Sequence, residues 1–153
     1  MVNEELLDER LSQIRTSVLR LIKMKAVTRE EFLANPDNFA VAEHHLRRSL
    51  EALFDIGRHI IAKKGYGKPE NYKQIIEKLG QYKVISPDFA NKIQGMAGYR
   101  NRLVHGYAMV SPEEMYGIIE NRLDDFHEFC TVIAGYIEKQ LVERTDRFAG
   151  NEP

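Results

Sequence analysis

Apolar residues recur at intervals of four and three along four long segments of this chain. That spacing places them on one face of an α-helix, whereas a half-buried β-strand would need strict alternation. The sequence contains no alternating stretch and no Asn-Gly hairpin signal. The first segment shows the helical pattern most clearly, through Leu7, Leu11, Ile14, Val18 and Leu21. The chain is therefore predicted to be all-α, folded as an up-and-down four-helix bundle.

Cap residues predict one or two short accessory helices between the long ones. Thr28 followed by Glu31 has the form of a capping box, and the short helix that it starts should stop near Asn35. A second short helix is predicted from about Pro69 to Leu79. Before it, Gly65 follows two lysines and is expected to end the second long helix in a left-handed conformation.

The pairs Ser86-Pro87 and Ser111-Pro112 each place a serine cap before a proline at the first helical position. They predict the starts of the third and fourth long helices. No linker-like segment divides the chain, so residues 1–153 are expected to form a single domain whose tail, from about residue 143, is frayed. The polar start lacks the layout of a signal peptide and no run suits a membrane span, which predicts a cytoplasmic protein.

Charge is distributed unevenly along the chain, although the net charge is only −1. Residues 58–107 hold 10 Lys or Arg residues against 3 Asp or Glu residues, whereas both flanking parts are acidic. Such a basic block is either a solvated, lysine-rich face or a surface that attracts the phosphate backbone of a nucleic acid. The composition alone leaves both interpretations open.

An arginine occupies a core position in the apolar stripe of the third long segment. The stripe consists of Phe89, Ile93, Met96, Arg100 and Leu103. Burying an unpaired guanidinium is costly, so Arg100 should either pair with an acid or face a cleft. The second long helix offers Glu51 and Asp55, and we predict that one of these carboxylates orients Arg100.

His105 stands at the predicted end of the same helix, with Gly106 as its C-terminal cap. Asn101 and Arg102 precede it by about one turn, so both are expected near the imidazole. A histidine can exchange a proton near neutral pH and therefore suits general acid or base catalysis. The alternative is a structural residue at a helix end.

Other sites are not favoured by the sequence. The single cysteine, Cys130, falls on an apolar stripe and is expected to be a buried core residue. No His-Glu-x-x-His pattern occurs, so neither a metal site nor another cofactor is predicted. Gly95 and Gly98, spaced three apart within a helix, predict close packing against another helix, for which a dimer interface is one setting.

The segment from Arg100 to Tyr107 has the form Arg-x4-His-x-Tyr and resembles the signature of the HEPN superfamily, specifically the HepT-like toxins. The helical layout is similar over nearly the whole chain, and the stretch LRRSLEALFDIGRHII resembles the second helix of that family. The resemblance implies a metal-independent ribonuclease that cleaves tRNA or mRNA as the toxin of a toxin–antitoxin pair. It also implies a homodimer in which two motifs share a cleft.

Residue roles follow from the resemblance. It implies that Arg100 and His105 are catalytic, that Asn101 and Arg102 support RNA binding, and that Tyr107 accepts AMP from an MntA-like nucleotidyltransferase antitoxin. The basic block would then attract RNA. The alternative function is a non-catalytic helical module that binds a nucleotide or docks a nucleotidyltransferase.

Overall fold

The computed structural model describes residues 1–105 and 109–150, and these residues form helices joined by short connections. In chain order the helices are α1 Glu4–Lys23, α2 Arg29–Ala34, α3 Pro36–Lys64, α4 Tyr72–Gln81, α5 Pro87–Ile93, α6 Gly95–His105, α7 Pro112–Asn121 and α8 Leu123–Gly150. A single 3-10 turn, Met24–Ala26, follows α1. The prediction of an all-α fold is confirmed, with α2 and α4 as the short accessory helices.

Helix α1 runs antiparallel to α3, as three contacts along their length demonstrate. The Asn3 backbone N–H donates to His59 Nε2 at 2.8 Å, and Arg10 pairs with Asp55 at 3.2 Å. Further along, His45 Nδ1 lies 3.4 Å from the Ser17 hydroxyl. The His59 pKa is lowered, first by burial and then by nearby cationic groups, which keeps Nε2 available as an acceptor.

Helix α8 also runs antiparallel to α1. Arg144, near its end, donates to Glu4 at 2.8 Å, whereas Leu123 and Cys130, near its start, line a groove shared with the second half of α1. The sequence predicts a frayed tail from about residue 143, but α8 continues to Gly150. The ion pair between Arg144 and Glu4 gives this last part of the helix a partner on α1.

The predicted caps are present at the helix starts. Thr28 accepts from the Glu31 N–H, and Ser86 accepts from the Phe89 N–H. Ser111 and Glu114 form a complete capping box at the start of α7. At the end of α3, Gly65 has a φ of 70°, the left-handed conformation that the sequence predicts.

Two predicted long helices are each divided in the structure. The third consists of α5 and α6, separated at Gln94, and the fourth consists of α7 and α8, separated at Arg122 with a φ of −122°. At this second junction Arg122 donates to the Lys92 carbonyl at 3.3 Å and pairs with buried Asp125 at 3.4 Å. The contact with the Lys92 carbonyl, 30 residues away along the chain, and the local pair with Asp125 hold the break in place. The short helix predicted from Pro69 begins at Tyr72.

Buried apolar side chains from all eight helices form one core, in which Cys130 is 2% exposed as predicted. Two glycines allow close approach of helices around α4. A methyl group on Gly57 would meet the Ile75 side chain at 2.6 Å, and one on Gly80 would meet Ala90 Cβ at 2.7 Å. Helix α4 is thereby held tightly against both α3 and α5. Among the described helices, none combines the length and apolar character that a membrane span needs.

Alanine at Gly80 is expected to lower the free energy of unfolding by about 1–3 kcal/mol, because the added methyl overpacks the α4–α5 contact. Gly135 is the matched control, since a methyl group there meets no atom within 4 Å. Gly135→Ala should raise the free energy of unfolding by about 0.5–1 kcal/mol through its helix propensity. Urea unfolding measures both variants. A Gly80→Ala protein as stable as the parent would refute the close contact.

Candidate active site

Helix α6 carries the motif residues whose functions the sequence predicts. Arg100 and Arg102 are half-buried, whereas Asn101 and His105 are exposed. Tyr107, the predicted AMP acceptor, and the predicted cap Gly106 lie outside the described residues. The motif is thus displayed along the last turns of one helix, where the side chains of Asn101 and His105 are open to solvent.

The guanidinium of Arg100 lies over the ring of Tyr72, the first residue of α4. Its central carbon is 4.2 Å from the ring centroid, which is a cation–π contact. The Arg100 Nε atom is buried and has no hydrogen-bond acceptor among the described residues. The prediction that Arg100 needs a partner is met by an aromatic ring rather than by an acid.

The predicted pairing of Arg100 with Glu51 or Asp55 is wrong for the described structure, where neither carboxylate forms a salt bridge with it. Asp55 instead pairs with Arg10 at 3.2 Å and with Arg58 at 3.8 Å. Glu51 is exposed on α3. The physical reason is that Arg10 on α1 faces this part of α3 and takes the carboxylate of Asp55.

Arg102 is bound to Glu114 by two hydrogen bonds. Its Nη1 and Nη2 atoms donate to the two carboxylate oxygens at 2.8 and 2.6 Å, and Nη2 also donates to the Met109 carbonyl at 3.0 Å. The Tyr99 hydroxyl donates to the same carboxylate at 3.3 Å. These contacts join the end of α6 to the start of α7.

The contacts around Glu114 shift the pKa values of Glu114 and of its neighbours. The hydrogen bond from Arg102 is the main reason that the pKa of Glu114 is lowered, and the Ser111 backbone N–H contributes as well. Burial raises the pKa of Tyr99, and the neighbouring carboxylate raises it further. Glu114 is therefore ionised and Tyr99 neutral at physiological pH, which is the state that this cluster requires.

Among the described residues, Gly95 and Gly98 make no close packing contact with another helix. A methyl group at either position would meet no atom within 4 Å, and both residues are exposed. The prediction of close packing is wrong within one protomer, because the core-facing side of α6 is formed by Met96 and Ala97. Contact with a second protomer stays a prediction.

A groove of about 500 Å³ lies apart from the motif. It lies between α1 and α8 and is mainly apolar, with Leu19 and Ile22 exposed at its edge. In the described part of the chain, His, Cys, Asp and Glu side chains form no group of three or more that suits a metal ion. The motif residues Arg100, Asn101 and His105 lie instead on α6.

A family profile described as Ribonuclease HepT-like matches residues 8–133, which is most of the chain and includes α6. The chain belongs to this family. Membership confirms the predicted resemblance, and with it the predicted class of enzyme, a ribonuclease. Because the profile spans the motif and the bundle around it, the assignment applies to the same residues that form the candidate site.

Two curated relatives and one solved structure are similar to this HepT-like chain. The tRNA nuclease HepT of Aphanizomenon flos-aquae (strain 2012/KM1/D3) is 29% identical over 133 residues, which cover 86% of this chain and 90% of the relative. The mRNA nuclease HepT of Shewanella oneidensis is 29% identical over 89 residues, 58% of this chain and 67% of the relative.

The solved structure is a tri-AMPylated Shewanella oneidensis HEPN toxin in complex with MNT antitoxin. It aligns with a TM-score of 0.78 at 22% identity, over 85% of this chain and 97% of that chain. At this identity the likeness confirms the HEPN-like helical fold of the HepT-like chain.

Sequence reasoning missed Tyr72, Arg58 and the second role of Glu114. Glu114 was identifiable only as a capping residue, since its contact with Arg102 depends on how α6 meets α7. Tyr72 follows the cap Asn71, which signals a helix start and nothing about its neighbours in space. The Arg100–Tyr72 contact joins positions 28 residues apart, which no helical spacing would indicate.

The Arg102–Glu114 pair makes stability depend on pH. Glu114→Gln is expected to lower the free energy of unfolding at pH 7 by about 1 kcal/mol, since the pair is bidentate but about a third exposed to solvent screening. The pKa of Glu114 is lowered from 4.5 in the folded protein. The stabilisation by its ionised carboxylate is therefore fully present above the unfolded-state pKa, and it is lost as the pH falls through the folded-state pKa.

Urea unfolding of the parent and Glu114→Gln proteins between about pH 3 and 8 measures this difference. The difference in unfolding free energy between the parent and Glu114→Gln proteins should be constant in the neutral range and should shrink towards zero below pH 4.5. Glu113→Gln, at the adjacent exposed position, is the control and should change stability little. A gap that persists undiminished at the acidic limit would contradict the role of the ionised carboxylate.

Proposed function

We propose that this HepT-like ribonuclease is the toxin of a toxin–antitoxin pair and cleaves tRNA or mRNA without a metal ion, through Arg100 and His105. One observation carries the proposal: the two motif residues lie on a single helix, and the Arg100 guanidinium is supported by the Tyr72 ring rather than neutralised by an acid. The curated nucleases that resemble this chain act on tRNA and mRNA, according to their names.

RNA brings its own nucleophile to this reaction, the ribose 2′-hydroxyl. Its oxygen loses a proton and bonds to phosphorus, while the bond from phosphorus to the 5′-oxygen breaks and that oxygen gains a proton. The products are a 2′,3′-cyclic phosphate and a 5′-hydroxyl. His105 serves as general base at the 2′-hydroxyl or general acid at the leaving oxygen. Arg100 binds the scissile phosphate and stabilises its developing charge.

The two supporting residues of the motif differ in their surroundings. Asn101 is exposed beside Arg100, where its amide can donate to a phosphate oxygen. Arg102 is engaged by Glu114, so a phosphate would have to compete with that carboxylate. We therefore assign substrate contact to Asn101, whereas Arg102 joins α6 to α7.

The assembly that we propose is a homodimer that binds RNA in the cytoplasm. The basic block of residues 58–107 supplies the positive charge that attracts an RNA backbone. The exposed glycines Gly95 and Gly98 offer a surface of α6 on which a second protomer can pack closely. In such a dimer the motifs of both protomers would lie in one cleft.

The antitoxin partner is an MntA-like nucleotidyltransferase, and its target is Tyr107. A solved neighbour of the same fold is an AMPylated toxin in complex with its antitoxin. An adenylate on Tyr107, two residues after His105, adds negative charge and bulk beside the motif. It would repel the RNA phosphates that Arg100 must bind.

The deciding experiment is RNA cleavage by the purified protein in excess EDTA. We expect tRNA or mRNA to be cut into products that end in 2′,3′-cyclic phosphate, and RNA with 2′-O-methyl groups to resist. The Arg100→Ala/His105→Ala double variant controls for contaminating nucleases. If parent and double variant are equally inert on both RNA classes, the chain is instead the non-catalytic module.

A separate experiment tests the antitoxin. Incubation with ATP and an MntA-like nucleotidyltransferase should add adenylate mass to the parent protein and to Tyr99→Phe, but not to Tyr107→Phe. Adenylate on Tyr107→Phe would place the acceptor elsewhere. Unchanged mass in all three proteins, with a transferase active on another toxin, would refute this form of regulation.

A further inference from the structure

Tyr72 lies at the centre of a small cluster of aromatic and cationic side chains. The guanidinium carbon of Arg100 is 4.2 Å from its ring centroid, and that of Arg58 is 5.5 Å from the same centroid. Phe54, buried on α3, meets the ring edge-on with a centroid distance of 4.9 Å and an interplanar angle of 74°. Phe54 thus holds the orientation of a ring that two arginines share.

A ring supports a guanidinium differently from a carboxylate. A carboxylate would neutralise the charge of Arg100 and occupy its N–H donors, as Glu114 does for Arg102. The face of the Tyr72 ring attracts the cation through the quadrupole of the ring, and it accepts no hydrogen bond from the in-plane N–H groups of the guanidinium. The arginine is therefore positioned while its charge and its terminal donors stay available for a phosphate.

Arg58 on α3 is the second cation near this ring, with its guanidinium carbon 5.5 Å from the ring centroid. Its only salt bridge among the described residues is the 3.8 Å contact with Asp55, whose carboxylate is closer to Arg10, at 3.2 Å. The Arg58 side chain is 53% exposed. Two cations on one ring, one half-buried and one open to solvent, suit two neighbouring phosphates of a strand better than a single anion.

We propose that Tyr72 is the positioning residue for Arg100 and that Arg58 binds the RNA phosphate next to the scissile one. This inference rests on the proposed function, in which Arg100 binds the scissile phosphate. Tyr72 acts through Arg100 and touches no reacting atom. Arg58 contributes to substrate binding rather than to the chemical step.

The test compares kcat and KM for RNA cleavage in Tyr72→Phe, Tyr72→Leu and Arg58→Gln proteins. Tyr72→Phe keeps the aromatic face and should retain activity within about threefold, whereas Tyr72→Leu should lower kcat at least about tenfold. Arg58→Gln should raise KM with little change in kcat, and should reduce the slope of log affinity against log salt by about 0.7. Tyr82→Leu, which alters an exposed ring outside the cluster, should leave activity unchanged.

A double-mutant cycle distinguishes a purely structural role of Tyr72 from its proposed role in positioning Arg100. In the Arg100→Ala background, Tyr72→Leu should cause no further loss of kcat, because the residue that it positions is absent. A further tenfold loss there, or equal activity of Tyr72→Leu and the parent, would overturn the proposal. If Tyr72→Leu fails to fold, Tyr72→Met, which keeps an apolar contact for Phe54, takes its place.

The outcomes also separate this inference from the proposed function. If Arg100→Ala cleaves RNA as well as the parent does, the proposed role of Arg100 fails. If Arg100→Ala is inert while the non-aromatic Tyr72 variant is fully active, only the positioning role is lost. If Arg58→Gln keeps both KM and salt dependence, the second phosphate contact is refuted.

Discussion

Alanine in place of His105 is expected to lower kcat for RNA cleavage by about 100- to 10,000-fold, the range that general acid or base catalysis supplies. The variant retains Arg100, so RNA binding should persist and KM should change little. Steady-state cleavage of a fluorescent RNA in EDTA measures kcat and KM.

His127 on α8 provides the matched control for His105, since it is an exposed histidine that lies on the groove between α1 and α8. His127→Ala should cleave RNA like the parent protein. Equal kcat values for His105→Ala and the parent would remove His105 from the chemical step. A rise in KM alone would reassign it to substrate binding.

Alanine in place of Arg100 is expected to lower kcat/KM by about 100- to 1,000-fold, the loss that follows removal of one preorganised charge from a transition state. Arg100→Lys should recover only part of this activity, because an ammonium cannot match the planar, stacked guanidinium that lies on Tyr72. The free energy of unfolding should fall little, since the described structure gives Arg100 no carboxylate partner to leave buried and unpaired.

Arg15, which lines the α1–α8 groove, is the control cation. Arg15→Ala removes the same charge from the protein and should leave kcat/KM unchanged. If Arg15→Ala and Arg100→Ala reduce cleavage equally, the effect is one of net charge on RNA attraction. If Arg100→Lys is as active as the parent, a stacked guanidinium is not what the reaction needs.

Helix starts were predictable from the sequence because their signals are local. Ser86 and Ser111 cap donors that lie three residues away, so their sequence neighbours contain the whole interaction. The break at Arg122 was not predictable, because it is held in part by the Lys92 carbonyl, which reaches the junction only in the folded bundle. The apolar stripe continues through the break without a change of spacing.

The candidate site also combines features that the sequence indicates locally with features that depend on the folded structure. The core position of Arg100 was visible from the helical stripe, and so was its need for a partner. The identity of that partner was not visible, because Tyr72 lies on another helix and no local sequence pattern connects it to Arg100. The sequence suggested that Asp55 lies near Arg100, but in the folded chain its carboxylate pairs with Arg10. Position along a helix is encoded locally, whereas the choice among nearby partners is not.

The close contact between Gly80 and Ala90 has a consequence for how related chains can differ in length. It fixes α4 against α5, and α5 leads within two residues into α6. The relative position of Tyr72 on α4 and Arg100 on α6 is therefore fixed. An insertion or deletion between residues 82 and 86 would shift one relative to the other. Length changes should therefore be rejected in the 82–86 connection.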